Sequence, residues 1–373
     1  MRIAYDYQTF VLQNYGGISR YFTCLAQGLI DLQQQVKIFA PLHRNRYVGA
    51  LPLGTVIGRE FVWFPPKTKR TIQLLSAYNH TAAMKMIANW QPDIVHETYY
   101  SRFSSAPKNY PTVITVYDMI HELFYNEFSA RDNTSELKKT AVARADHVIC
   151  ISENSKQDLI RIFGTPASKI SVILLGFDAF CDQRTVPVAE STNARPFLLY
   201  VGSRRRYKNF ARFLKSVAAS KKLLSDYDVI AFGGGEFSAV EMALIQSLGF
   251  TFKQVRQITG NDALLGDYYS TASAFVYPSL YEGFGIPPLE AMAHQCPVIA
   301  SNTSSMPEVI GDAAEFFNPF DVDEMCFAIE AVVYSESRMD DLRKKGLARL
   351  AHFSWKKCAQ ETLAVYQTLL GKY

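Results

Sequence analysis

This 373-residue sequence lacks the features of several protein classes. Its apolar runs are all shorter than the roughly 20 residues that a membrane-spanning helix needs, and its first residues read as a strand rather than a signal peptide. Its six cysteines form no Cys-x-x-Cys pair, which favours buried reduced thiols over a metal site or disulfides. The best match to a Gly-x-Gly-x-x-Gly fingerprint has Ser238 at the third glycine position, which weakens a dehydrogenase hypothesis. We therefore expect a cytoplasmic protein.

Charge is distributed unevenly along the chain. Residues 1–176 hold 19 Lys/Arg and 13 Asp/Glu, a net charge of +6, whereas residues 177–373 hold 20 and 22, a net charge of −2. The N-terminal excess includes a basic group that consists of Arg44, Arg46, Arg59, Lys67, Lys69 and Arg70. Such a group attracts anionic lipid or a phosphate-bearing acceptor, with a solvated basic face as the equal alternative. We predict no nucleic-acid partner, and peripheral contact with the inner face of the membrane through this half.

Apolar, β-rich runs alternate with helical patterns through both halves of the chain. The predicted strands of the first half are Arg2–Tyr5, Val36–Ala40, Ile94–Glu97, Thr112–Tyr117, His147–Ile151 and Ile170–Leu174. Those of the second half are Phe197–Val201, Asp228–Phe232, Thr251–Gln257, Ala274–Tyr277, Pro297–Ala300 and Ala314–Phe317, with helices such as Phe210–Leu224 and Asp262–Thr271 between them. This alternation predicts an α/β fold with parallel sheets.

The length and pattern predict two Rossmann-like doubly wound domains that face each other across a cleft. The domains are residues 1–176 and 197–354, joined by a polar linker at 177–196. A last helical segment, 355–373, is expected to pack back toward the N-terminal domain. Because open α/β sheets bind ligands at the carboxyl ends of their strands, the functional residues are expected there.

The segment Glu282-Gly-Phe-Gly-Ile-Pro-Pro-Leu-Glu290 combines a glycine turn, a helix start and two carboxylates. Glycines such as Gly285 let the backbone approach a ligand closely, and Pro287 suits the first helical position. The N–H groups from Phe284 to Ile286 then point out of a helix N-terminus, which attracts phosphate. The two glutamates bracket this anion site and suit the hydroxyls of a ribose and a sugar.

A basic loop follows the first predicted strand of the second half. It contains Arg204 and Lys208, which we assign to a diphosphate whose negative charge grows as it departs; a solvated basic turn is the alternative. No Asp-x-Asp pair lies in the predicted cleft to hold Mg²⁺, so no metal is expected.

Two segments of the first half also follow predicted strands. Gly16 and Gly17 can bring backbone N–H groups near a donor phosphate, or else form a tight structural turn. Asp118 and His121 follow the Thr112–Tyr117 strand, where His121 can orient a hydroxyl or serve only structure.

These motifs together resemble the retaining glycosyltransferases of family 4, the glycosyl transferases group 1, which have the GT-B fold. The strongest match is the glutamate pair within Tyr277–Ala293, followed by Ser304-Ser-Met-Pro-Glu-Val309. The basic loop resembles the family's donor-phosphate loop, and Gly16-Gly-Ile-Ser-Arg-Tyr21 resembles its N-terminal glycine loop. The resemblance covers essentially the whole chain and implies that residues 1–176 bind the acceptor and 197–354 the nucleotide sugar.

The resemblance also implies a role for each matching residue. Glu282 would contact the transferred sugar and Glu290 the ribose, while Arg204 and Lys208 would hold the diphosphate. The strand around Arg256 would contact the base through its backbone. Many relatives have a histidine directly after the Thr-Val strand, where this chain has Tyr117. Whether His121, Tyr117 or Asp118 assists catalysis therefore stays open.

The implied reaction is a metal-independent, retaining transfer of a hexose from a nucleotide diphosphate sugar to a hydroxyl. Glucose and mannose are the favoured hexoses, and a UDP-sugar is favoured over a GDP- or ADP-sugar. The expected acceptor is a polysaccharide or a lipid-linked oligosaccharide, and no cofactor besides the donor is expected. The alternatives are a sugar-nucleotide epimerase of GT-B fold and a protein that binds a nucleotide sugar without turning it over.

Overall fold

The computed structural model describes residues 1–61, 69–178, 195–251 and 253–371. They form two compact units. The first comprises Met1–Leu123, Phe128–Gly176 and Ser354–Tyr373, and the second comprises Phe124–Glu127 and Phe177–Phe353. Most of the predicted linker lies outside the described residues, as does Lys67 of the basic group.

The first unit is built on a seven-stranded sheet in which all neighbouring strands are parallel. Its strands are β1 (Arg2–Tyr5), β2 (Gln35–His43), β3 (Val56–Glu60), β4 (Ile94–Glu97), β5 (Thr112–Val116), β6 (His147–Cys150) and β7 (Ile170–Val172). Their spatial order is β3-β2-β1-β4-β5-β6-β7. The chain therefore reverses its direction of travel across the sheet between β1 and β4.

The second unit contains a six-stranded parallel sheet. Its strands are β8 (Phe197–Val201), β9 (Asp228–Phe232), β10 (Val255–Ile258), β11 (Ala274–Tyr277), β12 (Val298–Ser301) and β13 (Glu315–Phe317). The order β10-β9-β8-β11-β12-β13 places the reversal between β8 and β11. The α/β class and the two parallel sheets predicted from the sequence are confirmed.

Helices join the strands in both units. In the first they are α1 (Gln8–Leu12), α2 (Gly17–Asp31), α3 (Lys69–Trp90), α4 (Ile120–Leu123), α5 (Thr134–Arg144), α6 (Glu153–Phe163) and, at the C-terminus, α15 (Trp355–Leu370). In the second they are α7 (Phe210–Ala219), α8 (Lys221–Asp226), α9 (Ala239–Ser247), α10 (Asp262–Thr271), α11 (Ile286–Ala293), α12 (Met306–Ile310), α13 (Val322–Val333) and α14 (Glu336–Leu350). Helix α15 packs against α2 within the first unit.

The sequence analysis missed one strand and placed the start of another too early. The edge strand β3 was missed because its residues are half-buried or exposed and show no apolar run. The strand predicted from Thr251 begins only at Val255, because Thr251 and Gln254 close a turn through two mutual hydrogen bonds of 3.0 Å.

The predicted helix Phe210–Leu224 is in fact two helices. Its first part ends at Ala219, and Ser220 caps the second by accepting a hydrogen bond from the Leu223 N–H at 3.1 Å. A serine hydroxyl satisfies an N–H at a helix start better than it serves a helix interior.

His96 on β4 is a fully buried polar side chain whose contacts tie the C-terminal helix to the first sheet. Its Nδ1 lies 2.6 Å from the Tyr366 hydroxyl on α15, and its Nε2 lies 2.9 Å from Thr115 Oγ1 on β5. Burial lowers the pKa of His96 to about 3. The ring is therefore neutral in the folded protein well below the pH at which an exposed histidine becomes charged.

We expect acid to destabilise the first unit through His96. Its pKa falls from 6.5 to about 3 on folding. Above pH 6.5 the group makes no pH-dependent contribution, whereas below it the unfolded chain binds a proton that the folded chain does not. The free energy of unfolding should thus fall by about 1.4 kcal/mol per pH unit between these values. Urea unfolding at pH 7 and pH 5 should show a shallower loss in His96→Gln; equal losses in both proteins would contradict the assignment.

Candidate functional site

Charged side chains meet where the second sheet reverses direction, between the carboxyl ends of β8 and β11. Lys208 lies in the loop after β8, and Glu282 lies in the loop after β11. The Lys208 Nζ is 2.6 Å from Glu282 Oε1, and the two side chains are 17% and 10% exposed. A reversal of this kind leaves a crevice outside the strand ends, where open α/β sheets bind ligands. The structure therefore places this ion pair at the expected binding position.

Tyr277, the last residue of β11, supports the carboxylate of this pair. Its hydroxyl donates a hydrogen bond to Glu282, and burial together with the Glu282 charge raises the pKa of Tyr277 well above its usual value. Lys208 Nζ also lies 5.8 Å from the centre of the Tyr277 ring. Tyr277 thus remains a donor at any physiological pH and restricts how far Glu282 can move.

Two serines from the segment between β12 and α12 fix the backbone of Glu282. Ser304 Oγ accepts from the Glu282 N–H at 2.9 Å and donates to the Glu282 carbonyl at 2.5 Å. Ser305 Oγ, fully buried, donates to the carbonyls of Glu282 and Phe284, each at 2.9 Å. We had not assigned these serines to the site, although their segment was part of the family match. Only the pairing of β11 with β12 brings them to the turn.

The glycine turn leads into α11 as predicted, with one correction. Ile286 is the first helical residue and Pro287 the second, so the helix begins one residue earlier than expected. Gly285 has φ of 99° and ψ of 74°, a conformation that favours glycine. The Phe284 side chain is buried and packs edge-on against Phe353, with ring centres 5.7 Å apart, so only its backbone can face a ligand.

Glu290 lies about one turn inside α11, as the sequence indicated, and is half-buried. Its Oε2 accepts a hydrogen bond from the Tyr269 hydroxyl at 3.2 Å. Burial and the Glu290 charge raise the pKa of Tyr269 well above its usual value. Both glutamates of the motif are therefore oriented by a tyrosine from the sheet or a neighbouring helix, and neither tyrosine was predicted as a site residue.

Arg204 is fixed by the glycine loop that follows β9. Its Nε–H donates to Glu241 Oε1 at 2.6 Å, Nη1 donates to the Gly233 carbonyl, and Nη2 donates to the carbonyls of Gly235 and Glu236. The side chain is only 4% exposed. Most of the donors of Arg204 are thus used within the protein.

The loop itself has an unusual backbone, because Gly233, Gly234 and Gly235 all have positive φ angles. A Cβ on Gly234 would lie 2.7 Å from Arg204 Nη1, so glycine is required there both for conformation and for space. The segment is a strand-to-helix turn, and Ser238 caps α9 in a capping box with Glu241.

Arg256 lies on the edge strand β10 and is not brought to the ion pair. Its guanidinium is 3.8 Å from the carboxylate of Asp228, the first residue of β9. The side chain therefore extends toward the amino end of the strands, whereas Lys208 and Glu282 follow the carboxyl ends. Only the backbone of this strand is left for the base contact that the resemblance implied.

In the first unit, Gly16 and Gly17 stand at the start of α2. A Cβ on Gly16 would lie 2.4 Å from Gln13 Oε1, and that oxygen accepts from the Ser19 N–H at 3.0 Å. A Cβ on Gly17 would meet nothing within 4 Å. Gly16 is thus required by the packing of Gln13, whereas no contact with the residues that the structure describes explains Gly17.

Alanine substitutions at these two glycines distinguish a role in stability from a role in binding the nucleotide sugar. Gly16→Ala should displace Gln13 and remove its cap from α2, at a cost of about 1 kcal/mol in unfolding free energy. Gly17→Ala should leave stability unchanged and weaken nucleotide-sugar affinity if its backbone approaches a phosphate. Calorimetric titration and thermal melts of both variants provide the measurement. Unchanged affinity in Gly17→Ala would show that the turn is only structural.

His121, Asp118 and Tyr117 follow β5, but their environments differ. The His121 ring stacks on Phe128 with centres 4.0 Å apart, burial lowers its pKa, and its Nδ1 is buried without a hydrogen-bond partner. Tyr117 is buried, and its hydroxyl donates to the Thr98 carbonyl at 3.2 Å. Of the three, His121 alone has a buried polar side-chain atom without a hydrogen-bond partner in the part of the chain that the structure describes.

Lys138 holds the short helix that carries His121. Its ammonium donates to the Asp118 carbonyl at 2.7 Å and to Glu122 Oε2 at 2.8 Å, and its side chain is 1% exposed. The sequence analysis did not identify this lysine, because a charged residue on a polar helix gives no sign that it is buried.

The direction reversal of the first sheet, between β1 and β4, is occupied by the protein itself. The buried Asp6 accepts hydrogen bonds from Thr98 Oγ1 at 2.5 Å, Gln8 Nε2 at 2.6 Å and Ser105 Oγ at 2.8 Å. These bonds anchor the loop after β4 to the end of β1. The two sheets thus differ: among the described residues, the second alone brings a lysine and a glutamate together at this position.

Comparison with known proteins identifies the family. The model of Glycosyltransferase Family 4 matches residues 15–179, and that of Glycosyl transferases group 1 matches residues 183–349. The chain belongs to the group 1 glycosyltransferases. Its sequence is 30% identical to O-antigen chain mannosyltransferase B of Escherichia coli over 230 residues, which cover 60% of each protein.

Two further matches extend this assignment. O-antigen chain mannosyltransferase RfbU of Salmonella typhimurium is 31% identical over 212 residues, covering 56% of this chain and 57% of that protein. The chain thus spans less than two thirds of the length of either mannosyltransferase. Sucrose-phosphate synthase from Thermosynechococcus elongatus matches all of this chain and 99% of its own with a TM-score of 0.77 at 20% identity, which shows that the two proteins share the GT-B fold.

Two kinds of feature are absent from the described residues. No group of three or more His, Cys, Asp or Glu side chains among them is arranged to hold a metal ion. Within the same residues, no helix combines the length and the apolar character needed to cross a membrane.

Proposed function

We propose that this chain transfers a hexose from a nucleotide diphosphate sugar to a saccharide hydroxyl with retention of configuration and without a metal. The observation that carries the proposal is the ion pair of Lys208 with Glu282 at the reversal of the second sheet, beside the N-terminus of α11. A cation, a carboxylate and the backbone N–H groups of a helix N-terminus at one strand edge suit the diphosphate and hydroxyls of such a donor.

Each group has a proposed role in the donor complex. Lys208 and the N–H groups at the start of α11 stabilise the diphosphate as it leaves, Glu282 holds the transferred sugar, and Glu290 holds the ribose. A donor phosphate oxygen accepts the acceptor proton as the C1–O bond opens, so no enzyme nucleophile is required. Electrostatic stabilisation of this kind is commonly the largest part of enzymatic rate enhancement.

Mannose is our preferred transferred sugar, because two relatives are named as O-antigen mannosyltransferases. The proposed acceptor is accordingly a polysaccharide or a lipid-linked oligosaccharide. A UDP-sugar remains the donor expected from the sequence, and GDP-mannose is the competing donor to be tested. Peripheral contact with an anionic membrane through the basic first unit belongs to the same proposal.

The donor is best identified by ligand-induced stabilisation, since a ligand that binds only the folded protein raises its melting temperature. Thermal melts of the full chain with UDP-glucose, UDP-galactose, GDP-mannose and ADP-glucose should show one clear stabiliser. Glu290→Ala should reduce that shift, because the ribose contact is lost. A panel in which no nucleotide sugar stabilises the protein would refute the donor site.

Product analysis distinguishes a glycosyltransferase from an epimerase and from a protein that only binds the nucleotide sugar. With the identified donor and a saccharide acceptor, NMR of the product should show a glycoside with the donor's anomeric configuration, and EDTA should leave the rate unchanged. Conversion of the donor sugar without an acceptor would instead indicate an epimerase. Binding without any product would indicate a non-catalytic protein, and loss of activity in EDTA would contradict metal independence.

A further inference from the structure

Helix α3 of the first unit exposes large apolar side chains on the side opposite its buried face. Its inner face carries Asn79, Ala83 and Ile87, which are fully buried. A helix at a protein surface normally presents polar residues on the other side. Here Leu74 and Tyr78 on the outer side are 74% and 56% exposed.

The exposed residues form one continuous stripe. Leu74, Tyr78, Thr81 and Lys85 follow each other at intervals of four, three and four residues, a spacing that places them on one side of a helix. All four are exposed. This stripe points directly away from the buried face, so the first unit itself does not cover it.

All charged residues in the sequence segment that contains the stripe are positive. Between Glu60 and Asp93 the sequence contains four Lys/Arg and no acidic residue, and three of these cations, Lys69, Arg70 and Lys85, belong to α3. The acid that precedes this stretch, Glu60, is paired with Arg46 at 3.0 Å. Two exposed apolar side chains on a helix whose charged residues are all cations match an anionic lipid surface, where acyl chains accept the former and headgroups the latter.

A second copy of this chain fits the stripe less well. Pairing of two α3 helices along their stripes would place the Lys85 side chains of both copies in one interface, and α3 has no acidic residue to compensate. Like charges across an interface oppose association. The charge pattern therefore favours lipid over self-association.

We propose that the stripe Leu74, Tyr78, Thr81 and Lys85 docks the protein on an anionic membrane, with Leu74 and Tyr78 entering the boundary between headgroups and acyl chains. This placement specifies which surface makes the membrane contact of the proposed function. A vesicle assay needs no donor sugar, so its outcome is independent of whether the donor site is correct.

The test is co-sedimentation of the full chain with phosphatidylcholine vesicles and with vesicles of phosphatidylcholine and phosphatidylglycerol. The unaltered protein should bind only the anionic vesicles, and high salt should weaken that binding. The double variant Leu74→Ser/Tyr78→Ser should bind at least about tenfold more weakly, and Lys85→Glu about fivefold or more. Val240→Ser, which alters an 80% exposed apolar residue of the second unit, is the matched control and should bind like the unaltered protein.

Circular dichroism and thermal melts should show that all variants are folded, since the substituted side chains are exposed. Equal binding by Leu74→Ser/Tyr78→Ser and the unaltered protein would overturn the proposal, as would failure of the unaltered protein to bind anionic vesicles. Light scattering provides a further test. If the unaltered protein forms a dimer that the double variant loses, the stripe is an interface between copies and the lipid assignment is wrong.

Discussion

Lys208→Ala should reduce the rate of sugar transfer about 100-fold or more, because it removes the cation that we place beside the leaving diphosphate. In the structure its ammonium lies 2.6 Å from Glu282. The negative charge that develops on the diphosphate would strengthen its interaction with Lys208 on the way to the transition state. The loss should therefore appear in kcat at saturating donor, and steady-state kinetics with the identified donor provides the measurement.

The same substitution leaves Glu282 largely buried without its cation, so a loss of stability can also lower the measured activity. Thermal melts of Lys208→Ala address this point directly. Arg206→Ala is the matched control, because Arg206 lies in the same turn with an exposed side chain and should keep full activity. If Lys208→Ala retains near-normal kcat, Lys208 is only the structural partner of Glu282 and our mechanism fails.

Arg204→Ala should lower the unfolding free energy by about 3 kcal/mol and also reduce turnover strongly. The substitution removes an ion pair with Glu241 and hydrogen bonds to three carbonyls of the loop after β9. It leaves those carbonyls and a half-buried carboxylate without their donor. We expect the loop of three left-handed glycines to lose its fixed conformation. Urea unfolding and kinetics should therefore change together.

Arg204→Lys distinguishes positioning from direct contact with the diphosphate. A lysine keeps the charge but has no planar fork, so it cannot reproduce bonds to Glu241 and to three carbonyls. If Arg204 acts through the loop, Arg204→Lys should resemble Arg204→Ala in both stability and donor affinity. Substantial rescue of donor affinity by lysine, with unchanged stability of the donor-free protein in Arg204→Ala, would instead support the diphosphate contact expected from the sequence.

The fold was largely predictable because its signals are local. Alternation of apolar strands with helices indicates parallel sheets, and the strands Arg2–Tyr5, Ile94–Glu97 and Phe197–Val201 were located residue for residue. The errors occurred where the structure adopted by a segment does not follow its local pattern of apolar residues. β3 lies at a sheet edge and needs no apolar run, and Ser220 begins a new helix although the pattern around it continues.

The candidate site was predictable only in part. The spacing of Glu282 and Glu290 around a glycine turn depends on a short segment, and the structure reproduces that turn and its helix. The supporting residues come from distant segments. Ser305 bonds to a backbone more than 20 residues away, and Tyr277 becomes significant only because β11 ends beside Glu282.

By itself the sequence determined the two parallel α/β sheets, the glycine turn between Glu282 and Glu290, and the family to which they point, because periodicity and short motifs are properties of neighbouring residues. Tertiary structure alone decided which side chains each charged group meets. It bound Arg204 to a glycine loop, joined His96 to Tyr366 across 270 positions, and left one face of α3 uncovered. Hydrogen-bond partners and exposure depend on which distant segments the fold brings together, and a local sequence pattern does not predict these contacts.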